Sequence, residues 1–200
     1  MKLRKKEKTV SKRLIIILIL IAGVMFGAAQ LTSSGKPKNS PVKDPLAAML
    51  GQVAPDFSLP SYDGKLFNLS QQRGKKVVLF FNEGIMCYPA CWNQMAALGA
   101  DSKLNSEQVV SVSIVNDRAD QWTQAIKKMP ELGKGMILLD TDKRVSNMYD
   151  MLYLPSSMHR GSMAGHTYLI IDEKGTVRYT LDDPKMGVQN DVLISELAKI

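Results

Sequence analysis

The sequence predicts one α/β domain in which helices flank a central mixed β-sheet, with an extra β-hairpin ahead of the sheet. Three observations support this fold class. Residues 77–81, Val-Val-Leu-Phe-Phe, form an apolar run that indicates a strand buried on both faces. Segments with strand and helix patterns alternate after it, as βαβα followed by a helix and a terminal hairpin. Before it, hydrophobic segments flank Asp63 and Gly64, a pair typical of hairpin turns.

Each further element is identified by its periodicity. β-branched and apolar residues predict strands at 109–115 and 136–139. Apolar residues spaced i, i+3, i+4 and i+7 predict amphipathic helices at 120–132 and 142–152. The complete predicted order is the Asp63-Gly64 hairpin, a strand at 75–81, a helix from the cysteine segment to about residue 104, a strand at 109–115, a helix at 120–132, a strand at 136–139, a helix at 142–152, a strand pair at 167–171 and 176–181, and a helix at 190–199.

Positive charge is concentrated at the N-terminus. Seven of the 26 Lys and Arg residues and one of the 19 Asp and Glu residues fall within residues 1–13, which leaves 19 basic and 18 acidic residues elsewhere. That near balance provides no electrostatic footprint for DNA or RNA, so we expect no nucleic-acid partner. Residues 14–31 are apolar except for Gln30. Such a run behind basic residues predicts a single membrane span with the N-terminus inside the cell.

These features divide the chain into four predicted parts. They are a basic cytoplasmic tail at 1–13, a transmembrane signal-anchor at 14–31, a flexible tether rich in Ser, Pro and Lys at 32–49, and a folded domain at 50–200. A cleaved signal peptide is the alternative, because Gly27, Ala28 and Ala29 offer a small-residue cleavage site. Both alternatives predict an extracytoplasmic domain, and the signal-anchor predicts a single-pass protein of the cell membrane. Disulfides persist outside the cytoplasm.

The chain has two cysteines, Cys87 and Cys91, where the strand at 75–81 gives way to a helix. Pro89 suits the first helical turn, and an earlier helix start would make the cysteines i, i+4 neighbours. A disulfide is feasible in either arrangement. Unpaired N–H groups and the helix dipole favour a thiolate, so the more N-terminal and exposed Cys87 is the predicted nucleophile. Cys91 would then resolve the mixed disulfide.

Glu83 and Trp92 flank the cysteines. Glu83 is a candidate base that would accept a proton from a thiol, directly or through a water; the alternative is an exposed loop carboxylate. Trp92 is predicted to pack over the disulfide. An inert structural disulfide is also possible, but so short a loop constrains the unfolded chain little. The pair therefore indicates redox or metal chemistry.

With these residues identified, the chain resembles the redoxin (AhpC/TSA) branch of the thioredoxin-like superfamily, which includes peroxiredoxins and membrane-tethered thioredoxin-like proteins. The resemblance covers about residues 50–200. The matching segments are Ala-Pro-Asp-Phe-Ser-Leu-Pro at 54–60, the Asp63-Gly64 turn, the strand at 77–81, the cysteines at the head of a helix, and Thr-Tyr-Leu-Ile-Ile-Asp at 167–172 followed by Gly175. The resemblance implies a thioredoxin-like fold with an extra N-terminal hairpin and a thiol-dependent redox activity.

Three departures from the family pattern accompany this resemblance. The cysteines are spaced Cys-x-x-x-Cys instead of Cys-x-x-Cys, and Gly84 stands three residues before Cys87, where peroxiredoxins have Thr or Ser. His166 stands where peroxiredoxins have an activating Arg and thioredoxins a cis-proline. The resemblance implies that His166 lies near the cysteines, and the predicted catalytic set is Cys87, Cys91, Glu83 and His166.

The same cysteine spacing, with a His ahead of a late strand, also resembles the Sco-type copper-binding proteins. That resemblance implies copper held by Cys87, Cys91 and His166. Further soft donors surround the loop at 153–166: Met151, Met158, His159 and Met163. Thiolate, thioether and imidazole together suit Cu(I), although the methionines could equally serve in packing.

Three functions remain open from the sequence. The leading hypothesis is an extracytoplasmic, membrane-tethered thiol–disulfide oxidoreductase or peroxiredoxin-like antioxidant enzyme, without a cofactor, that cycles Cys87 and Cys91 between dithiol and disulfide. Its partner would be a protein thiol or disulfide, or a peroxide. The alternative is a copper-binding module with copper on Cys87, Cys91 and His166. The third is a tethered domain with an inert disulfide.

Overall fold

A five-stranded sheet lies at the centre of residues 44–200, the part of the chain that the computed structural model describes. In chain order the elements are α1 (Pro45–Met49), β1 (Ser58–Pro60), β2 (Leu66–Asn68), β3 (Lys76–Phe81), α2 (Ala90–Ala100), β4 (Val109–Val115), α3 (Ala119–Lys128), β5 (Met136–Leu139), α4 (Arg144–Met148), β6 (Thr167–Ile171), β7 (Val177–Asp182) and α5 (Asn190–Leu197).

The sheet is mixed, with the strand order β5-β4-β3-β6-β7. β3 pairs in parallel with β4 and antiparallel with β6, while β4 with β5 is parallel and β6 with β7 antiparallel. β1 and β2 form a separate antiparallel hairpin. Its turn contains Gly64 at a φ of +84°, a left-handed conformation that glycine adopts without a steric penalty. The predicted fold class, including the extra N-terminal hairpin, is confirmed.

β3 is buried on both faces of the sheet. Successive residues of a strand point to opposite faces, so this strand contributes side chains to the core on each side. Leu79 and Phe81 pack into a core that includes Tyr149, on one side. Phe80 packs into a second core that includes Trp122. The apolar run that predicted this strand therefore serves two cores. It also fixes the end of β3, where the cysteine segment begins, in the middle of the sheet.

All four predicted helices are shorter than predicted; α5, expected at 190–199, ends at Leu197. α3 ends before Pro130, because proline cannot supply the N–H that the interior of a helix requires. Pro130 instead begins a 3₁₀ turn. α4 ends before Asp150, whose φ of +55° breaks the helical path, and the rest of the predicted helix is a 3₁₀ turn at Met151–Tyr153. α2 ends at Ala100 instead of near residue 104.

The folded domain begins earlier than predicted. The tether was expected to extend to residue 49, but α1 spans Pro45–Met49 and buries Leu46 in the core. Asp44 caps this helix, since its side chain accepts a hydrogen bond from the Leu46 N–H at 3.0 Å. A bridge between Val53 and Thr176 attaches the following segment to the end of the sheet. The predicted boundary at residue 50 is therefore wrong.

The predicted tail at 1–13, the span at 14–31 and the tether up to residue 43 lie outside the described residues. Among residues 44–200, none of the helices is both long enough and apolar enough to cross a membrane.

Candidate active site

The two cysteines follow the carboxyl end of β3, where the chain turns into α2. A 3₁₀ turn at Gly84–Met86 comes first, and the Cys87 N–H donates to the Gly84 carbonyl at 3.2 Å. Cys91 is the second residue of α2, and its N–H donates to the Cys87 carbonyl at 2.9 Å. Pro89 caps the helix, close to its predicted place in the first turn. These backbone contacts hold Cys87 one turn ahead of Cys91.

Cys87 and Cys91 are joined by a disulfide, with their Cα atoms 5.3 Å apart. The predicted pairing is confirmed. Cys87 was also expected to be exposed, and that expectation is wrong, because Cys87 is 2% exposed and Cys91 is 0% exposed. One reason is Met186, whose Sδ atom lies 3.9 Å from the Cys87 sulfur.

His166 lies beside the disulfide, as the family resemblance implied. Its Nδ1 atom is 3.6 Å from the Cys91 sulfur, and the ring stands edge-on against Phe80. On the other side, Nε2 is 2.7 Å from the Tyr168 hydroxyl and 3.1 Å from the Gly187 carbonyl. The residue is fully buried just ahead of β6.

Burial lowers the pKa of His166 to about 4, although the carboxylate of Asp183 opposes the shift. The ring is therefore neutral at pH 7, with one donor and one acceptor nitrogen. With the proton on Nε2, the ring donates to the Gly187 carbonyl and Nδ1 can accept from a Cys91 thiol. With the proton on Nδ1, Tyr168 donates to Nε2 and Nδ1–H can stabilise a Cys91 thiolate. His166 can thus interact with either protonation state of Cys91.

Both carboxylate oxygens of Glu83 contact the loop at 157–159. Glu83 is buried, and its Oε1 atom accepts hydrogen bonds from the Met158 N–H at 2.7 Å, the His159 N–H at 3.0 Å and the Ser157 hydroxyl at 3.2 Å. Its Oε2 atom lies 3.2 Å from Nδ1 of His159. The alternative of an exposed loop carboxylate is wrong, because Glu83 is 2% exposed. A carboxylate buried in this way requires hydrogen-bond donors. The observed contacts anchor the loop at 157–159.

Gly84 stands where a peroxiredoxin would carry Thr or Ser, and the structure explains the difference. Gly84 has a φ of +58°, and a Cβ atom on it would collide with the carboxylate of Asp117. That carboxylate accepts a hydrogen bond from the Ile85 N–H at 3.0 Å. Burial raises the pKa of Asp117, while the Ile85 contact partly opposes the rise. Asp117 therefore occupies the space that a side chain at position 84 would need.

Sequence reasoning missed both Asp117 and Met186. A signal existed for Asp117, because it follows the end of β4, which pairs in parallel with β3 beside the cysteine segment. For Met186 there was no such signal, since it lies in an irregular loop between β7 and α5.

Two of the expected soft donors lie in different surroundings from each other: Met151 is buried in the core that includes Tyr149, and Met158 is 62% exposed. Trp92 was predicted to pack over the disulfide; its ring stands edge-on to Tyr88 and is tilted against Trp122.

Within residues 44–200, Cys87, Cys91 and His166 form a group that could hold a metal ion. One ligand atom from each lies within 4.8 Å of the other two, and all three residues are buried. Two thiolates and an imidazole would fit Cu(I). In the disulfide form the two sulfurs are bonded to each other, so a metal would require prior reduction.

Comparisons with known proteins agree on the family. The family profile described as Redoxin matches residues 49–190. "Peroxiredoxin Bcp" of Escherichia coli (strain K12) is 29% identical over 156 residues, which cover 77% of this chain and 97% of that protein. "Thiol-disulfide oxidoreductase ResA" of Bacillus subtilis (strain 168) is 29% identical over 154 residues, covering 76% of this chain and 79% of that protein.

Solved structures show the same fold. Peroxidoxin BcpB from Mycobacterium tuberculosis superposes with a TM-score of 0.62 at 18% identity, over 76% of this chain and 97% of that one. The Redoxin match spans the disulfide and His166, and therefore the whole site described above. This chain belongs to the redoxin family and is a thiol-dependent oxidoreductase.

Proposed function

We propose that this protein is an extracytoplasmic, membrane-tethered oxidoreductase that reduces peroxides or exchanges disulfides with protein thiols, through Cys87 and Cys91. The observation that carries the proposal is the disulfide between two nearby cysteines at the head of α2, with the neutral ring of His166 3.6 Å from one sulfur. A pair separated by three residues contributes little as a structural cross-link. Reversible oxidation is the chemistry that this arrangement supports best.

The peroxidase reaction would begin on the dithiol. The Cys87 thiolate attacks one peroxide oxygen, the O–O bond breaks, and Cys87 becomes a sulfenic acid while water or an alcohol leaves. Cys91 then attacks the Cys87 sulfur, which releases water and forms the observed disulfide. A thiol reductant restores the dithiol by exchange and is itself oxidised. No cofactor enters this cycle, and similarity to a peroxiredoxin and to a thiol–disulfide oxidoreductase supports both substrate classes.

His166 would assist at Cys91. In the dithiol its Nδ1 lone pair accepts the Cys91 S–H, and during exchange its N–H stabilises Cys91 as the departing thiolate. A neutral ring serves both purposes without a net charge in a buried site. Tyr168 supports the second state, because its hydroxyl can donate to Nε2 when Nδ1 holds the proton.

The location rests on the sequence. An apolar run at 14–31 preceded by seven basic residues favours a membrane anchor with the domain outside the cytoplasm. A disulfide between Cys87 and Cys91 suits that compartment. Protease added to intact cells tests the topology, because it should remove the domain while sparing a fragment that contains residues 1–31. Protection of the whole chain would contradict it.

Peroxide consumption by full-length protein in detergent tests the activity. With excess dithiothreitol as reductant, we expect turnover by the wild type, none by Cys87→Ser, and retained turnover by Cys91→Ser, because an external thiol can resolve the sulfenic acid. The reverse pattern would assign the peroxidatic role to Cys91. No peroxide turnover and no thiol exchange by the wild type would refute the function.

Copper binding is the second candidate function, favoured by the ligand atoms of Cys87, Cys91 and His166 within 4.8 Å of one another. The reduced protein would be loaded with Cu(I) and passed over a desalting column. One retained equivalent that is lost in both Cys87→Ser and His166→Ala, without peroxide turnover or thiol exchange by the wild type, would replace the oxidoreductase proposal. Failure of the reduced wild type to retain copper would exclude the metal site.

A further inference from the structure

Met186 contacts the disulfide but takes no part in the chemistry proposed above. Its Sδ atom is 3.9 Å from the sulfur of Cys87, a residue that is 2% exposed. The backbone of Met186 has a φ of +52°, a left-handed conformation that residues with a side chain rarely adopt. Such conformations persist where the surrounding structure fixes them, and they concentrate at functional sites. The position of Met186 against the sulfur is therefore imposed by its loop.

The loop at 183–189 is fixed at both ends. The buried carboxylate of Asp183 accepts hydrogen bonds from the N–H groups of Lys185 and Gly187 at 3.0 and 2.9 Å, and from Gln189 Nε2 at 2.7 Å. At the other end, Gln94 of α2 accepts a hydrogen bond from the Gln189 N–H at 2.7 Å. The helix that begins at the cysteines thus also holds the loop that covers them.

The Gly187 carbonyl, one residue beyond Met186, lies 3.1 Å from Nε2 of His166. The loop is therefore also tied to the residue beside the Cys91 sulfur. Displacing it breaks several buried polar contacts together. A small thiol forms few contacts that could offset this loss, whereas a larger reductant can use binding energy gained elsewhere on the surface.

Thiol–disulfide exchange requires direct approach of the attacking sulfur to the sulfur that it attacks. The Cys91 sulfur is not an alternative point of attack for the thiolate, because Cys91 is 0% exposed. Because the Met186 side chain is in contact with the Cys87 sulfur, it stands in the way of a thiolate that approaches this sulfur. Access, and not only intrinsic reactivity, would set the rate of reduction.

Resting on the proposed redox function, we propose that Met186 controls the access of thiols to Cys87 and thereby determines which reductants the enzyme accepts. The incoming thiolate bonds to the Cys87 sulfur, the Cys87–Cys91 bond breaks, and Cys91 leaves with the electron pair and takes up a proton. A second thiolate attacks the sulfur of the first reductant, forms the reductant disulfide, and releases Cys87 as a thiolate. Two reductant thiols are oxidised for each protein disulfide that is reduced.

The test compares wild type with Met186→Ala, Met186→Leu and Val188→Ala in full-length protein purified in detergent. Each oxidised protein is mixed with excess 2-mercaptoethanol, acid-quenched at intervals, and labelled with a maleimide so that mass spectrometry counts the released thiols. Met186→Leu is the matched control, because it preserves volume and apolar character without the sulfur. Val188→Ala controls for any change in the same loop, at a side chain that is 56% exposed.

We expect Met186→Ala to raise the second-order rate constant about tenfold, since removing the cover opens the path to the sulfur. Met186→Leu should stay within about threefold of the wild type, because it fills a similar space, and Val188→Ala should match the wild type. Reduction potentials measured against a glutathione buffer should be unchanged, because access alters the rates of reduction and reoxidation equally.

Equal rate constants for the wild type and Met186→Ala would overturn the proposal. So would a rise in Val188→Ala of the same size, or a faster rate in Met186→Ala that follows from a shifted potential. Failure of the proposed function has a different signature: the wild-type disulfide is reduced by 2-mercaptoethanol, but the resulting dithiol neither consumes peroxide nor reduces protein disulfides. That result leaves the ratio of rates between Met186→Ala and Met186→Leu intact.

Discussion

Gly84→Ala should destabilise the protein through two effects that the structure separates. The first is conformational: Gly84 has a φ of +58°, and a residue with a Cβ loses about 1–2 kcal/mol there. The second is steric, because the new methyl group would collide with the Asp117 carboxylate. That carboxylate would have to move and give up its hydrogen bond from the Ile85 N–H. Loss of a hydrogen bond to a charged acceptor costs about 1.5–3 kcal/mol.

The expected total loss in the free energy of unfolding is about 2.5–5 kcal/mol. Gly64→Ala is the matched control, because Gly64 has a similar left-handed φ of +84° but no heavy atom within 4 Å of the position of a Cβ. It should lose only the conformational part, about 1–2 kcal/mol. Urea unfolding measures both, with the slope of the transition required to stay unchanged.

The difference between the two variants isolates the contact with Asp117. Equal losses at positions 84 and 64 would refute the reasoning, because the collision would then contribute nothing. A double-mutant cycle sharpens the test: Gly84→Ala combined with Asp117→Ala should cost less than the sum of the two single changes. Strict additivity of the two would show that Asp117 does not occupy the space beside Gly84.

Two further predictions concern buried groups. Glu83→Ala should lower the free energy of unfolding by about 2–4 kcal/mol, because it leaves the donors of the loop at 157–159 without an acceptor; exposed Glu107→Ala is the control in urea unfolding, and equal effects would contradict the anchoring role. For His166, the pKa is lowered from 6.5 to about 4 in the folded protein. The unfolded chain therefore binds a proton below pH 6.5 that the folded chain takes up only near pH 4, so stability should fall by about 3 kcal/mol over this range. His166→Asn should lose this part of the pH dependence, and identical urea profiles for both proteins between pH 7 and 4 would contradict it.

The strands were predictable because they carry strong local signals. The β-branched run at 109–115 and the apolar runs of β3 and β6 are buried on both faces, so their composition alone distinguishes them. The Asp63-Gly64 turn has a comparable local signature. Helix ends were less predictable, because apolar spacing continues past Pro130 and Asp150, where the backbone leaves the helix.

The site was predictable in part. Cys87 and Cys91 are neighbours in sequence, so their disulfide depends on local geometry alone. The approach of His166 depends on the pairing of β3 with β6, which the family resemblance supplied and periodicity could not. Glu83 shows the opposite case, since its place beside the cysteines in sequence suggested a base while the fold directs it to the loop at 157–159.

Met186 and Asp117 mark what sequence could not supply. Met186 lies 99 residues from Cys87 along the chain, in a loop without periodicity. Its contact depends on the path that the chain takes between β7 and α5. Asp117 is separated from Ile85 by 32 residues and meets it only because β3 and β4 run in parallel. Both contacts are products of tertiary structure.

The most direct test of the account is the fate of the two thiols after exposure to peroxide. Fully reduced full-length protein would receive one equivalent of hydrogen peroxide, and peptide mass spectrometry would follow Cys87 and Cys91. We expect one disulfide to form per peroxide consumed, with transient sulfenic acid on Cys87 that accumulates in Cys91→Ser. Thiols that persist on both residues while peroxide remains, together with no exchange with disulfides, would contradict a redox-active pair.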